Sequence, residues 1–178
     1  MRASAQVATD FRRLVDALAR ANVEFVIVGG VAVVAHGHVR ATGDLDVCYA
    51  RTEQNFERLA RALAPFRPWL RGAPRELPFT LDAQAIRNGL NFTLTTEIGD
   101  VDLLGELTGV GGYDRVVHDA GQLDLYGHAV RVASLDVLER NKLAVGRAKD
   151  LLDIEAIAEI RKRRGSAEDS RATPRRER

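Results

Sequence analysis

The stretch Val23 to Tyr49, VEFVIVGGVAVVAHGHVRATGDLDVCY, constrains the fold more than any other part of the chain. Phe25-Val26-Ile27-Val28 is apolar and rich in β-branched residues, as a buried strand is, and Gly29-Gly30 interrupts it before Val31 to Ala35 resume with residues that a helix tolerates. A strand, a glycine turn and a helix start therefore follow one another directly. Two glycines at such a turn let the backbone approach an anion, and the free N–H groups of the first helical turn would point at it.

Separated from Gly30 by thirteen residues, Asp44-Leu45-Asp46-Val47-Cys48-Tyr49 alternates as a second strand, with Asp44 and Asp46 on one face and Leu45 and Val47 on the other. Side chains two apart on a strand stand about 6.6 Å apart along it, close enough for both carboxylates to reach one divalent-ion cluster. Paired anions with apolar neighbours need a compensating cation, or their pKa values rise. Taken singly, Gly-Gly after a strand is commonly only a turn and Asp-x-Asp commonly a solvated face; their order and spacing make the conjunction more specific.

A chain of 178 residues, 46% hydrophobic, can bury the core of one ordinary domain. The longest apolar stretch, Val26 to Ala35, is too short for a bilayer, and MRASAQVATDFRR lacks the apolar region of a signal peptide, so a cytoplasmic location is expected. Cys48 is the only cysteine, which excludes an intrachain disulfide or a cysteine zinc site and marks it as a small buried hydrophobe. Charge is uneven: residues 161–178 carry eight Lys/Arg against three Asp/Glu, and the remainder 18 against 22.

Thr9 or Asp10 caps an expected first helix to about Ala21, and Thr52 a second, in which Phe56, Leu59, Ala60 and Leu63 form one stripe. Four prolines between Pro65 and Pro78 predict an irregular connection, with Trp69 and Leu70 tucked onto the core. A short helix is expected from Asp82 to Arg87, then a strand at Asn91–Thr95. Gly99 to Gly105 alternates again, placing Asp100 and Asp102 on one side and Val101 and Leu103 on the other. Gly109 to Gly112 is a connector, and residues 123–126 and 130–132 form a hairpin around Gly127-His128 that extends the sheet. The four histidines show no metal-ligand spacing. Ser134 caps a helix on whose apolar stripe Lys142 falls; periodicity alone is equally compatible with a stem that snorkels to water. From Arg161 the pattern dissolves, so the expected division is a domain at 1–162 and a basic disordered tail at 163–178.

Gly29-Gly30, the short helix and Arg40-Ala41-Thr42-Gly43-Asp44-Leu45-Asp46 resemble the signature of the DNA polymerase β-like nucleotidyltransferase superfamily, and within it the bacterial abortive-infection toxin-like branch. The resemblance implies an α/β (α+β) nucleotidyltransferase fold, a mixed sheet flanked by helices with a C-terminal helical segment. It implies Mg²⁺-dependent transfer of a nucleoside monophosphate from an NTP to an acceptor hydroxyl. Two ions would be held by Asp44, Asp46 and Asp102, the last chosen because it precedes an apolar pair, Leu103-Leu104. It places Gly29, Gly30, Arg40 and Thr42 at the nucleotide. LERNKLAVGRAKDLLDI resembles the branch's C-terminal helical motif, which adds Lys142, Arg147 and Asp150, with Lys142 as a point cation on the triphosphate. One departure is Val31, where many members carry a serine hydroxyl for the phosphates. The acceptor stays open between tRNA or other RNA, a protein and a small molecule, as does a role as toxin with an antitoxin protein partner. The alternative is a catalytically silent module of the same fold that binds a nucleotide or a partner.

Overall fold

The computed structural model describes residues 7–74 and 76–172. Helix α1 (Phe11–Arg20) starts at Asp10, whose carboxylate accepts the Arg13 amide, and buries Leu14, Val15 and Leu18. Strand β1 (Phe25–Ile27) is buried throughout and runs into α2 (Gly29–Ala35). Then come β2 (Asp44–Tyr49), the Thr52-capped α3 (Glu53–Leu63), β3 (Trp69–Leu70), α4 (Ala83–Asn88), β4 (Asn91–Thr96) and β5 (Gly99–Leu104). The chain closes with β6 (Glu106–Leu107), β7 (Gly111–Gly112), α5 (Tyr113–His118), β8 (Gly121–Leu125), β9 (His128–Val132), α6 (Leu135–Val145) and α7 (Ala148–Ala172).

Seven strands form one mixed sheet in the order β3-β4-β5-β2-β1-β9-β8. β2 is parallel to β5 and β1 to β9, and the other neighbours are antiparallel. The expected mixed sheet with flanking helices and a C-terminal helical segment is the architecture observed, and the expected hairpin does extend the sheet at its β8 edge. The β2–β5 register sets Asp44 beside Asp100 and Asp46 beside Asp102, while Leu45 meets Val101 and Val47 meets Leu103 on the other face. Those four apolar residues are fully buried in a core that includes Leu14, Leu18, Leu59 and Leu63, each contributing about 2 kcal/mol by burial. A one-residue slip would turn the carboxylates into that core, so the hydrophobic pattern fixes the acidic face.

Thr9 ties the starts of both acidic strands together: its hydroxyl accepts the Asp100 amide at 3.0 Å and donates to the Gly43 carbonyl. Among the described residues no helix is long and apolar enough to cross a membrane.

Three features depart from the sequence reading. Trp69-Leu70 lies in the proline-rich connection but pairs with Thr95-Leu94 as a two-residue edge strand, too short to leave a periodic signal. Helix α5 has six residues, one buried, Val116. Helix α7 continues to Ala172, past the point at which disorder was expected. Apolar periodicity stops at Ile160, but polar contacts carry the helix on: Arg161 pairs with Glu139 and Asp136, and Arg164 donates to His36 Nδ1 at 3.0 Å while His36 Nε2 donates to the Ala133 carbonyl. The last part of the expected tail, residues 173–178, lies outside the described residues.

Candidate active site

Three elements deliver carboxylates and backbone to one place. Asp44 and Asp46 come from β2, Asp102 from β5, and the start of α2 closes the side toward β1. One oxygen from each of Asp44, Asp46 and Asp102 lies within 4.8 Å of the others, so the three can hold a metal ion between them. Asp100, in the same alternation, is 5% exposed and stands outside that triad.

The glycines also serve the acidic strand. Gly29 has φ +61°, and a side chain on it would overlap the Asp46 carboxylate; a Cβ on Gly30 would stand 2.6 Å from Thr42 Oγ1. The Gly30 amide, expected to meet an incoming anion, donates to Asp46. The pair therefore makes room for the acidic strand and its preceding loop.

The triad is short of positive charge. Burial, with Asp44 and Asp102 beside it, pushes Asp46 up to about 7 against the pull of Lys142 and the Gly30 amide. Burial also raises Asp102, opposed by Arg71.

Helices α6 and α7 supply the opposite wall. Lys142 is 6% exposed, and its Nζ lies 3.1 Å from Asp150 Oδ1 and 2.7 Å from Asp153 Oδ2. Arg147 Nε donates to Asp150 Oδ2 at 2.8 Å, and the Arg147 amide donates to the same oxygen. Arg40, from the loop between α2 and β2, pairs with Asp153. Gly146, with φ +66°, ends α6 in the left-handed conformation and turns the chain so that Asp150 meets Lys142.

These residues line one cleft of about 200 Å³, together with Asn91, Glu106, Asn141 and Lys149. Of the residues expected at the site, Gly29, Gly30, Arg40, Thr42, Asp44, Asp46, Asp102, Lys142 and Arg147 line it. Asp150 does not line it: it is fully buried, and its oxygens serve Lys142 and Arg147, so it holds those cations in place. The sequence reading missed Arg71, which reaches Asp102 at 2.8 Å from the end of β3; its position in an apparently irregular segment gave no signal.

No protein-family model matches the chain, and no curated protein does. Solved structures similar to it include an antigenic nucleotidyltransferase-like protein from Paracoccidioides brasiliensis, 16% identical with a TM-score of 0.53, covering 86% of this chain and 78% of that one. The antibiotic-resistance factor ANT(2'')-Ia is 15% identical with a TM-score of 0.54, covering 89% of each. The lincomycin-bound lincosamide antibiotic adenylyltransferase LnuA is 14% identical with a TM-score of 0.55, covering 87% of this chain and 99% of that one. The fold of this chain is thus the nucleotidyltransferase fold.

Proposed function

We propose that the chain is a Mg²⁺-dependent nucleotidyltransferase that moves a nucleoside monophosphate from an NTP to an acceptor hydroxyl. The observation that carries the reading is the facing of an undercompensated carboxylate triad and a cation-rich wall across one cleft on this fold. The donors fit the ion: three carboxylates offer hard oxygen ligands, and burial together with the neighbouring Asp44 and Asp102 raises Asp46 to about 7, a penalty that a bound cation would relieve. Asp44, Asp46 and Asp102 would hold it. When bound, the metal neutralises phosphate charge and polarises the phosphorus centre.

The chain's own residues do the rest. Lys142, fixed by Asp150 and Asp153, presents a cation to the triphosphate, and Arg147 and Arg40 extend that wall. The acceptor oxygen attacks the α-phosphorus, the bond from that phosphorus to the bridging oxygen breaks, and pyrophosphate leaves. The hydroxyl proton passes to Asp102, the carboxylate that β5 adds to the pair from β2. Positioning and electrostatics supply most of the acceleration.

Because two of the similar structures are named for antibiotic resistance or adenylyl transfer to an antibiotic, a small hydroxyl-bearing acceptor is the first choice. RNA is the second, since α7 continues into Arg161-Lys162-Arg163-Arg164. A toxin held by an antitoxin protein is a further reading, favoured by Leu143, Leu151 and Leu152, which are 60–68% exposed where α6 meets α7. A silent binding module of this fold would have no use for three crowded acids.

The test incubates each labelled NTP with Mg²⁺, a cell extract and a panel of hydroxyl-bearing small molecules. One NTP is expected to label one fraction, and Asp46→Asn to abolish the label. Label from no NTP, or label unaffected by Asp46→Asn, contradicts the proposal.

A further inference from the structure

Arg71 belongs to the acidic face but has no part in the reaction above. Its amide donates to the Thr93 carbonyl at 2.9 Å, extending the pairing of β3 with β4 by one residue. That register sets Arg71 in one cross-strand row with Thr93, Asp102 and Asp46, so its side chain runs over β4 toward the carboxylates.

The guanidinium lies among carboxylates there, its buried Nε paired by charge with Asp100 but not aligned for a hydrogen bond. Nε lies 3.2 Å from Asp100 Oδ2, one terminal nitrogen donates to Asp102 Oδ1 at 2.8 Å and to the Leu94 carbonyl at 3.0 Å, and the other stands 3.6 Å from Asp44 Oδ2. A planar fork with fixed donors is the group that can span three carboxylates at once. Two of those carboxylates, Asp44 and Asp102, are triad members; the third, Asp100, is buried and lies outside it.

We propose that Arg71 is a placeholder cation: anchored on buried Asp100, it neutralises Asp44 and Asp102 while no metal is bound, and releases both when a divalent ion enters. The proposal rests on reading the triad as a metal site. It assigns Arg71 as a positioning residue that keeps the acids aligned and keeps metal affinity low until a nucleotide arrives. A triphosphate brings its own negative charge, which offsets the contacts the guanidinium gives up. The edge of the sheet suits such a residue: β3 is two residues long and is followed within two residues by Gly72 at φ +78°, so Arg71 can withdraw without disturbing β2 or β5.

The test is calorimetric titration with Mn²⁺, without nucleotide, of the wild type, Arg71→Gln and Asp46→Asn, paired with melting temperatures with and without the ion. Arg71→Gln is expected to bind Mn²⁺ at least about tenfold more tightly than the wild type, and to show a larger ion-induced rise in melting temperature. Equal or weaker binding overturns the placeholder role. So does an equal drop in melting temperature with and without Mn²⁺, because a merely structural arginine would weaken both states alike. Should Arg71→Gln be too unstable to purify, Arg71→Lys must change Mn²⁺ affinity in the same direction, since it keeps a charge but loses the fork. Asp46→Asn separates the two claims. If Mn²⁺ binding survives in that variant, the ion is not on the triad and the metal-site reading itself fails. If binding is lost there but Arg71→Gln brings no gain, only the role of Arg71 fails.

Discussion

The two walls of the cleft are built from the same residue types in opposite electrostatic states. On the β2–β5 wall three carboxylates crowd together, only Arg71 pairs with them among the described residues, and Asp46 is pushed up to about 7. On the α6–α7 wall two carboxylates meet three cations: Lys142 takes both, Arg147 takes Asp150 and Arg40 takes Asp153. Burial alone would raise Asp150, but the side-chain hydrogen bonds from Arg147 and Lys142 outweigh it and hold that carboxyl well below the usual range. The difference separates two uses of buried charge. On the proposed function, a surplus of acid awaits a cation from outside, whereas acids outnumbered by cations hold those cations ready for an anion.

The largest expected effect lies on the first wall. Asp46→Asn should lower turnover by about 10³-fold or more, near 4 kcal/mol in the barrier, while metal-free stability is unchanged or improved because one crowded anion is gone. Turnover above about a tenth of wild type would contradict the ligand role.

On the second wall the order of effects reverses. Asp150→Ala leaves Lys142 and Arg147 without their shared partner in a buried setting, and a stability loss of about 3 to 5 kcal/mol is expected by urea unfolding. A loss under about 0.5 kcal/mol would mean that this wall is no clamp.

A pH series contrasts the two more gently. Asp46 has a folded-state pKa above its ordinary value of 3.8, so its contribution to metal-free stability is present below that value and is lost as pH rises through about 7. Asp150 has the opposite sign: its contribution is present above 3.8 and is lost on acidification. Melting temperature without metal should therefore fall from about pH 5 to pH 8 in the wild type, and less in Asp46→Asn. An identical slope in both would remove Asp46 as the titrating group. The smallest effect expected is that of Arg164→Ala, about 0.5 kcal/mol, since its bond to His36 is exposed. A loss several times larger would make the basic end of α7 a structural brace for the second wall.

How far the sequence showed these walls depended on periodicity. The acidic wall was legible because a two-residue alternation puts Asp44 with Asp46 and Asp100 with Asp102, whatever the partner strand. Only the strand pairing could show that Asp100 is buried behind Arg71 while Asp102 joins the triad. Lys142 was legible as an inward lysine on an apolar stripe, but its partners Asp150 and Asp153 meet it only because Gly146 turns α7 back onto α6. Arg71 left no trace, because a two-residue strand has no period and its three contacts all come from long-range pairing. The continuation of α7 was hidden for the converse reason: past Ile160 its contacts are the ion pairs of Arg161 and the bond from Arg164 to His36, with no apolar stripe to announce them.

Anomalous diffraction at the manganese edge, from crystals grown with Mn²⁺ and a non-hydrolysable NTP analogue, tests the central claim most directly. Manganese is expected bonded to Asp44, Asp46 and Asp102, with the triphosphate extending from the ion toward Lys142 and Arg147. Manganese elsewhere, or a nucleotide outside this cleft, would contradict it.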